Sequence, residues 1–144
     1  MRKIDVFFYG LFMDEDLLQS RGVTPTNLRL ASVSGFQLRI GRRATLVPAK
    51  SGRVFGLVAS LSHVELEQLY SEPSVQAYRP EAVLASLSNG ETLAALCFNL
   101  LEPPSAEERN ADYVSKLRSL AERLRFPAEY IASIGRNDTV DDSA

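Results

Sequence analysis

The stretch Lys3-Ile4-Asp5-Val6-Phe7-Phe8-Tyr9-Gly10-Leu11-Phe12-Met13-Asp14 decides how the rest of the chain is read. Residues 3–9 are β-branched and aromatic enough for a buried strand, and Gly10 punctuates it. Asp14 then stands where a helix needs its N-cap, and Glu15 and Asp16 suit the positive end of the helix dipole in a short helix ending at Arg21-Gly22. The backbone amides of residues 10–13 therefore fall between a strand end and a helix start, where unpaired N–H groups favour an anion or a polarised carbonyl. The same residues suit a tight turn with Leu11, Phe12 and Met13 packed into the core.

Working outward, Leu28 to Ile40 and Arg53 to Leu61 alternate as strands do, with bends or turns expected at Gly35, Gly41, Pro48 and Ser51-Gly52. Ser62-His63-Val64-Glu65 has capping-box spacing and opens a helix from 62 to about 70, which Pro73 ends by forcing residue 72 out of helical geometry. Tyr78 to Leu87 and Glu91 to Leu100 flank Ser88-Asn89-Gly90, and Asn-Gly is a strong hairpin signal. Beyond Pro103-Pro104, Ser105 and Glu108 repeat the capping-box spacing, and Tyr113, Leu117, Leu120 and Leu124 form the apolar stripe of a helix laid on the sheet. Pro127 opens a further short helix through Ile134, closed by Gly135. The fold class expected is α+β: a small, highly curved, mostly antiparallel sheet or barrel with a few short helices and a longer C-terminal helix. One domain is expected over residues 1–135, followed by a polar, flexible tail over 136–144.

With 144 residues, 45% hydrophobic and 24% charged, and a net charge of −2, the composition is that of a soluble globular protein with no general attraction for nucleic acid or an anionic membrane. The N-terminal apolar stretch runs into Asp14-Glu15-Asp16 without a small-residue cleavage site, so no signal peptide or membrane span is expected and the location is read as cytoplasmic. The single cysteine, Cys97, lies in an apolar run and reads as core, which leaves no intramolecular disulfide and no multi-cysteine zinc site. The single histidine, His63, sits in the first turn of the expected helix. With no expected role for metal, carboxylates, tyrosines, arginines and backbone amides remain as chemical tools.

Among these, Glu72 stands on a bend stiffened by Pro73, and a partly desolvated glutamate has a raised pKa that lets it shuttle a proton near neutral pH. The alternative is a solvated loop acid. Tyr78 at a strand start can donate a hydrogen bond to a bound molecule, or simply cap the core. Arg39, Arg42, Arg43 and Arg53 cluster around the Gly41 and Gly52 bends, where Arg43 can clamp a carboxylate and the group as a whole can serve as a charged sheet edge.

In their order, these pieces resemble the gamma-glutamylcyclotransferase-like superfamily, including its avirulence-induced-gene-like branch. Val6 to Met13 resembles the opening strand and Tyr-Gly loop; Arg43 to Pro48 with Gly52-Arg53-Val54-Phe55-Gly56 resembles the Arg/Pro stretch and glycine-flanked strand. Leu66 to Glu72 resembles the helix and catalytic-acid segment, Tyr78 to Val83 the strand after it, and Phe126-Pro127-Ala128-Glu129-Tyr130-Ile131 the C-terminal turn. The resemblance covers about residue 5 to residue 134. It implies a cofactor-free enzyme releasing 5-oxoproline from a small gamma-glutamyl amine or peptide. In that reaction the substrate's α-amine attacks its own γ-carbonyl, so the protein's task is to fold the substrate for ring closure. By resemblance Glu72 is the general acid/base, and Tyr9, Gly10, Leu11, Phe12, Met13, Arg43 and Tyr78 bind the substrate. The loop departs from the family by carrying Leu11-Phe12-Met13 where a small polar residue is usual, and Pro73 follows Glu72 where glycine is frequent. A noncatalytic small-ligand binding domain on the same fold is the competing expectation; a protein-interaction module has no exposed apolar repeat or charge block to support it. The partner expected is a small molecule, with neither nucleic acid nor membrane, and the sequence leaves the oligomeric state open.

Overall fold

A computed structural model describes residues 2–105 and 107–136. The strands close into a barrel in the order β1-β3-β2-β4-β5, with β1 at Lys3–Phe8, β2 at Thr26–Ile40, β3 at Ala44–Ser62, β4 at Tyr78–Leu87 and β5 at Thr92–Leu100. All neighbouring pairs are antiparallel except β1 with β5, which meet in parallel at Val6 and Leu96. Closure is made by short contacts, β2 meeting β4 at Ala31–Leu87 and Ser32–Ser86. The expected curved antiparallel sheet is thus a barrel, and its interior is the core: Val6, Phe7, Val33, Val54, Val58, Leu61 and Cys97 are almost completely buried.

Curvature comes from an irregularity the sequence marks with glycine. Ser34 pairs with Arg53 and Phe36 with Pro48, so residues 49–52 of β3 stand opposite Gly35 alone. Gly35 takes a left-handed φ of 87°, open to a residue without Cβ, and the bulge bends both strands. Pro48 and Ser51-Gly52 therefore mark this bulge inside one long strand instead of ending it. At the other end of β3, side chains replace the ladder. The Leu100 amide donates to Thr45 Oγ1 at 2.9 Å and the Leu46 amide to Asn99 Oδ1 at 3.3 Å, while Asn99 Nδ2 donates to Glu81 Oε1 at 2.9 Å.

Helices cover the barrel ends. Asp14 caps α1 (Glu15–Ser20), accepting from the Asp16 amide at 3.0 Å. Ser62 and Glu65 make both halves of the capping box on α2 (His63–Leu69), which ends at Tyr70. His63 is exposed in its first turn. The Ser105 capping box does not start the next helix. Glu108 does reach back to the Ser105 amide at 3.3 Å, but its other oxygen accepts from the Arg42 amide at 3.0 Å, so the carboxylate is held on the β2–β3 turn. Asn110 caps α3 (Ala111–Arg123) instead, accepting from Tyr113 N at 3.1 Å, and its amide donates to Arg42 O at 3.1 Å. Leu117, Leu120 and Ala121 bury the inner face of α3, as the apolar stripe requires. Pro127 is the N-cap of α4 (Ala128–Ser133), and Gly135 follows it in a left-handed conformation. Past Arg136, the expected polar tail lies outside the described residues. No helix among them is long and apolar enough to cross a membrane.

Candidate functional site

One end of the barrel opens into a cavity of about 220 Å³, walled by the end of β1 and its loop, α1, the β2–β3 turn, the end of α2 and the start of α3. Gly10, Leu11 and Phe12 form one side, Arg42, Arg43 and Ala44 another, and Tyr70, Tyr78 and Phe98 the back. Tyr9, Gly10, Leu11, Phe12, Arg43 and Tyr78, drawn from three distant stretches of sequence, are thereby brought together. Met13 belongs to the buried core and lies outside the lining.

Of the two readings of the loop, the tight turn with its side chains packed inward is the one seen. Leu11 to Met13 form a single 3₁₀ turn in which Met13 N donates to Gly10 O at 3.0 Å, and the Leu11 amide donates to the Tyr113 hydroxyl at 3.3 Å. Gly10 makes this possible, since a Cβ there would overlap the Tyr113 oxygen. The anion position at the strand end is thus held by a phenol from α3. Tyr78, expected to donate to a ligand, donates to Ala44 O; Tyr9 donates to Phe98 O at 2.7 Å. Two phenols are spent in fixing the walls.

Glu72 stands outside the lining. Its backbone caps a 3₁₀ turn at Pro73–Val75, and its carboxylate pairs with Arg21, which lines the cavity and follows α1. Gln68 Nε2 donates to Arg21 O at 2.9 Å, so α2 holds this arginine at its backbone as well. Both members of the pair are about one-third exposed, at 31% and 39%. What α2 delivers to the cavity is Tyr70. Its ring stacks on Phe98 with centroids 4.0 Å apart and meets Phe12 edge-on at 5.9 Å. Sequence reasoning passed over Tyr70, although Leu66, Leu69 and Tyr70 share the i, i+3, i+4 spacing of an inward face. It also assigned Tyr113 to packing alone and gave Arg21 and Arg42 no part in the site.

Burial sets the electrostatics. Desolvation pushes the phenols of Tyr9 and Tyr70 far up, with neighbouring tyrosines and the Cys97 thiol adding to it. It raises Tyr78 too, against the partial opposition of the Arg43 charge and the Ala44 bond. Tyr113 is pushed to about 12 by desolvation, partly offset by its bond from the Leu11 amide. All four are neutral hydroxyls at physiological pH. The lining thus combines three guanidinium groups with four neutral phenols, and contains no Asp, Glu or His among the described residues. Nor do three or more His, Cys, Asp and Glu side chains gather anywhere among those residues as a metal site would need. Cys97 is fully buried in the core.

A model of the family described as gamma-glutamyl cyclotransferase, AIG2-like, matches residues 6–116. The chain belongs to this family. Its fold is shared with a solved gamma-glutamyl cyclotransferase at a TM-score of 0.79 and 16% identity, over 99% of this chain and 92% of that one. Bacillus subtilis YkqA superposes at 0.76 with 23% identity, over 94% of this chain and 54% of YkqA. A solution structure from Arabidopsis thaliana does so at 0.66 with 21% identity, over 88% of this chain and 96% of that one. At these identities the likeness is one of fold. No match was found among curated protein sequences.

Proposed function

We propose that this family member binds a small carboxylate-bearing molecule in the barrel-end cavity without closing a gamma-glutamyl ring. One observation carries the reading: the cavity wall holds arginines and neutral phenols and, among the described residues, no group that can act as a base near neutral pH. Ring closure needs a base for the attacking amine and an acid for the leaving amine. A phenol raised by burial is a poor acid and, while neutral, no base. Arginine on the β2–β3 turn is suited to holding a carboxylate. A cytoplasmic setting is proposed with it, on the composition set out above.

A second reading, cofactor-free cyclotransfer with Glu72 as acid/base, is favoured by one contact: Glu72 is bonded to Arg21, a wall residue. A ligand carboxylate taking Arg21 would release Glu72 at the cavity mouth. Glu72 would then accept the proton of the α-amine as its nitrogen attacks the γ-carbonyl, and return it to the departing amine as the old C–N bond breaks.

The two readings part on a screen of gamma-glutamyl compounds for 5-oxoproline with wild-type and Glu72→Gln protein. Binding without turnover in either form is the expected outcome. Release of 5-oxoproline and amine in equal amounts, falling by roughly 10²–10⁴-fold in Glu72→Gln, would replace the first reading with the second.

A further inference from the structure

Among the described residues the charged groups lining the cavity are all guanidinium, and that restricts what can occupy it. The Tyr9 and Tyr78 protons are committed to carbonyls, so toward a ligand these hydroxyls are neutral acceptors. Tyr113 receives the Leu11 amide on its oxygen, so its own proton is left to give. The Tyr70 hydroxyl has no hydrogen-bond partner among the described residues, although its ring is packed between Phe98 and Phe12. Arg42 and Arg43 add guanidinium donors. Ser74, exposed on the 3₁₀ turn, adds one more hydroxyl.

An amino-acid head group carries an ammonium as well as a carboxylate. Here the ammonium would enter among guanidinium groups, with the nearby carboxylates already engaged, Glu72 by Arg21 and Glu108 by the amides of Arg42 and Ser105. A buried charge without a counter-charge is strongly disfavoured. The rest of the wall is apolar: Phe7, Phe8, Leu11, Phe12, Val75 and Phe98. The stacked Tyr70–Phe98 pair, inclined at only 16°, offers flat aromatic surface. Close packing of 220 Å³ at about three-quarters density seats a molecule of roughly 160 Å³, the size of a phenyl ring with a short carboxylate arm.

We propose that the ligand is an apolar-bodied monocarboxylate, aromatic by preference and without an ammonium group, held by Arg43 and the Tyr70 and Tyr113 hydroxyls. This rests on the binding reading above and narrows it, setting this chain apart from a site that takes gamma-glutamyl amino acids.

The test titrates the full chain with phenylpropanoate, its ammonium counterpart phenylpropylammonium, and gamma-glutamylalanine, following backbone amide shifts by NMR and assaying 5-oxoproline in the same samples. Phenylpropanoate should saturate, shifting Gly10, Leu11 and Tyr70, with each of the other two at least about tenfold weaker. Arg43→Gln, at an exposed position, should weaken the acid by about tenfold or more, and Tyr70→Phe by roughly 2- to 10-fold, with unchanged circular dichroism. Equal or tighter binding of the ammonium compound, or an Arg43→Gln protein that binds the acid like wild type, overturns the proposal. Tight binding of gamma-glutamylalanine without 5-oxoproline overturns it while leaving the binding reading in place. Formation of 5-oxoproline defeats that reading itself, and no binding by any of the three defeats both.

Discussion

Raising the pH should unfold this protein through its tyrosines. All five, Tyr9, Tyr70, Tyr78, Tyr113 and Tyr130, are raised above the ordinary phenol value of 10.0, burial being the leading cause in each. A folded-state pKa above the unfolded one means that the native protein keeps protons which the unfolded chain has released. The stability associated with the neutral phenols is therefore fully present below pH about 10 and is lost as pH rises towards the folded-state values. Tyr113, pushed to about 12, alone accounts for about 3 kcal/mol across that window, at about 1.4 kcal/mol for each pH unit. With all five protonated in the fold and ionised out of it, the slope approaches about 7 kcal/mol per pH unit, against a typical domain stability of about 5–15 kcal/mol. The fold should then collapse cooperatively before any one phenol titrates in place. Phenolate absorbance and far-ultraviolet circular dichroism, followed together against pH, should give a single coincident transition, steeper than a one-proton curve. A gradual rise in phenolate centred near the ordinary value, with the dichroism still native, would refute the reasoning and mean that the cavity phenols are solvated.

Two further outcomes follow from the polar groups inside the barrel. Asn99→Ala removes the acceptor of the Leu46 amide and the donor to Glu81 at the β3–β5 seam, and should lower stability by about 1–3 kcal/mol in urea denaturation; a change near zero would mean that water or a neighbour replaces it. Cys97, whose thiol is pushed to about 12 by burial and then by Glu81, should resist thiol reagents in native protein at mildly alkaline pH and react at once in denaturant, so rapid native labelling would contradict its placement in the core.

The elements were legible where local chemistry specifies them. Asp14, Ser62 with Glu65, and Asn89-Gly90 each fix a terminus or turn through neighbours a few residues away, and each does so in the structure. The helix start expected at Ser105 failed because Glu108 has a competing donor, the Arg42 amide, far off in sequence and unknown until the chain is folded. Barrel closure rests on long-range pairing of the same kind: Val6 with Leu96, and Ala31 with Leu87. No local pattern specifies which strands close a barrel, only that they are curved and short of partners.

The site shows the same division, and helical phase decides the place of Tyr70. Residues on an α-helix advance by about 100°, so two positions apart they point in nearly opposite directions, whereas positions three and four apart share a face. Leu69 is fully buried and Leu66 packs against the core, so Tyr70 completes the inward face and Glu72 falls two residues beyond it. Glu72 lies beyond the end of α2 in extended backbone, so helical phase does not set its direction. Instead Pro73 starts a 3₁₀ turn directly after Glu72, and the carboxylate is carried to Arg21 at the end of α1. An aromatic side chain consequently occupies the position from which α2 addresses the cavity. The carboxylate is stationed at the rim, where it neutralises one arginine and leaves Arg42 and Arg43, with the Glu108 carboxylate held at the same turn, to set the charge that an incoming ligand meets.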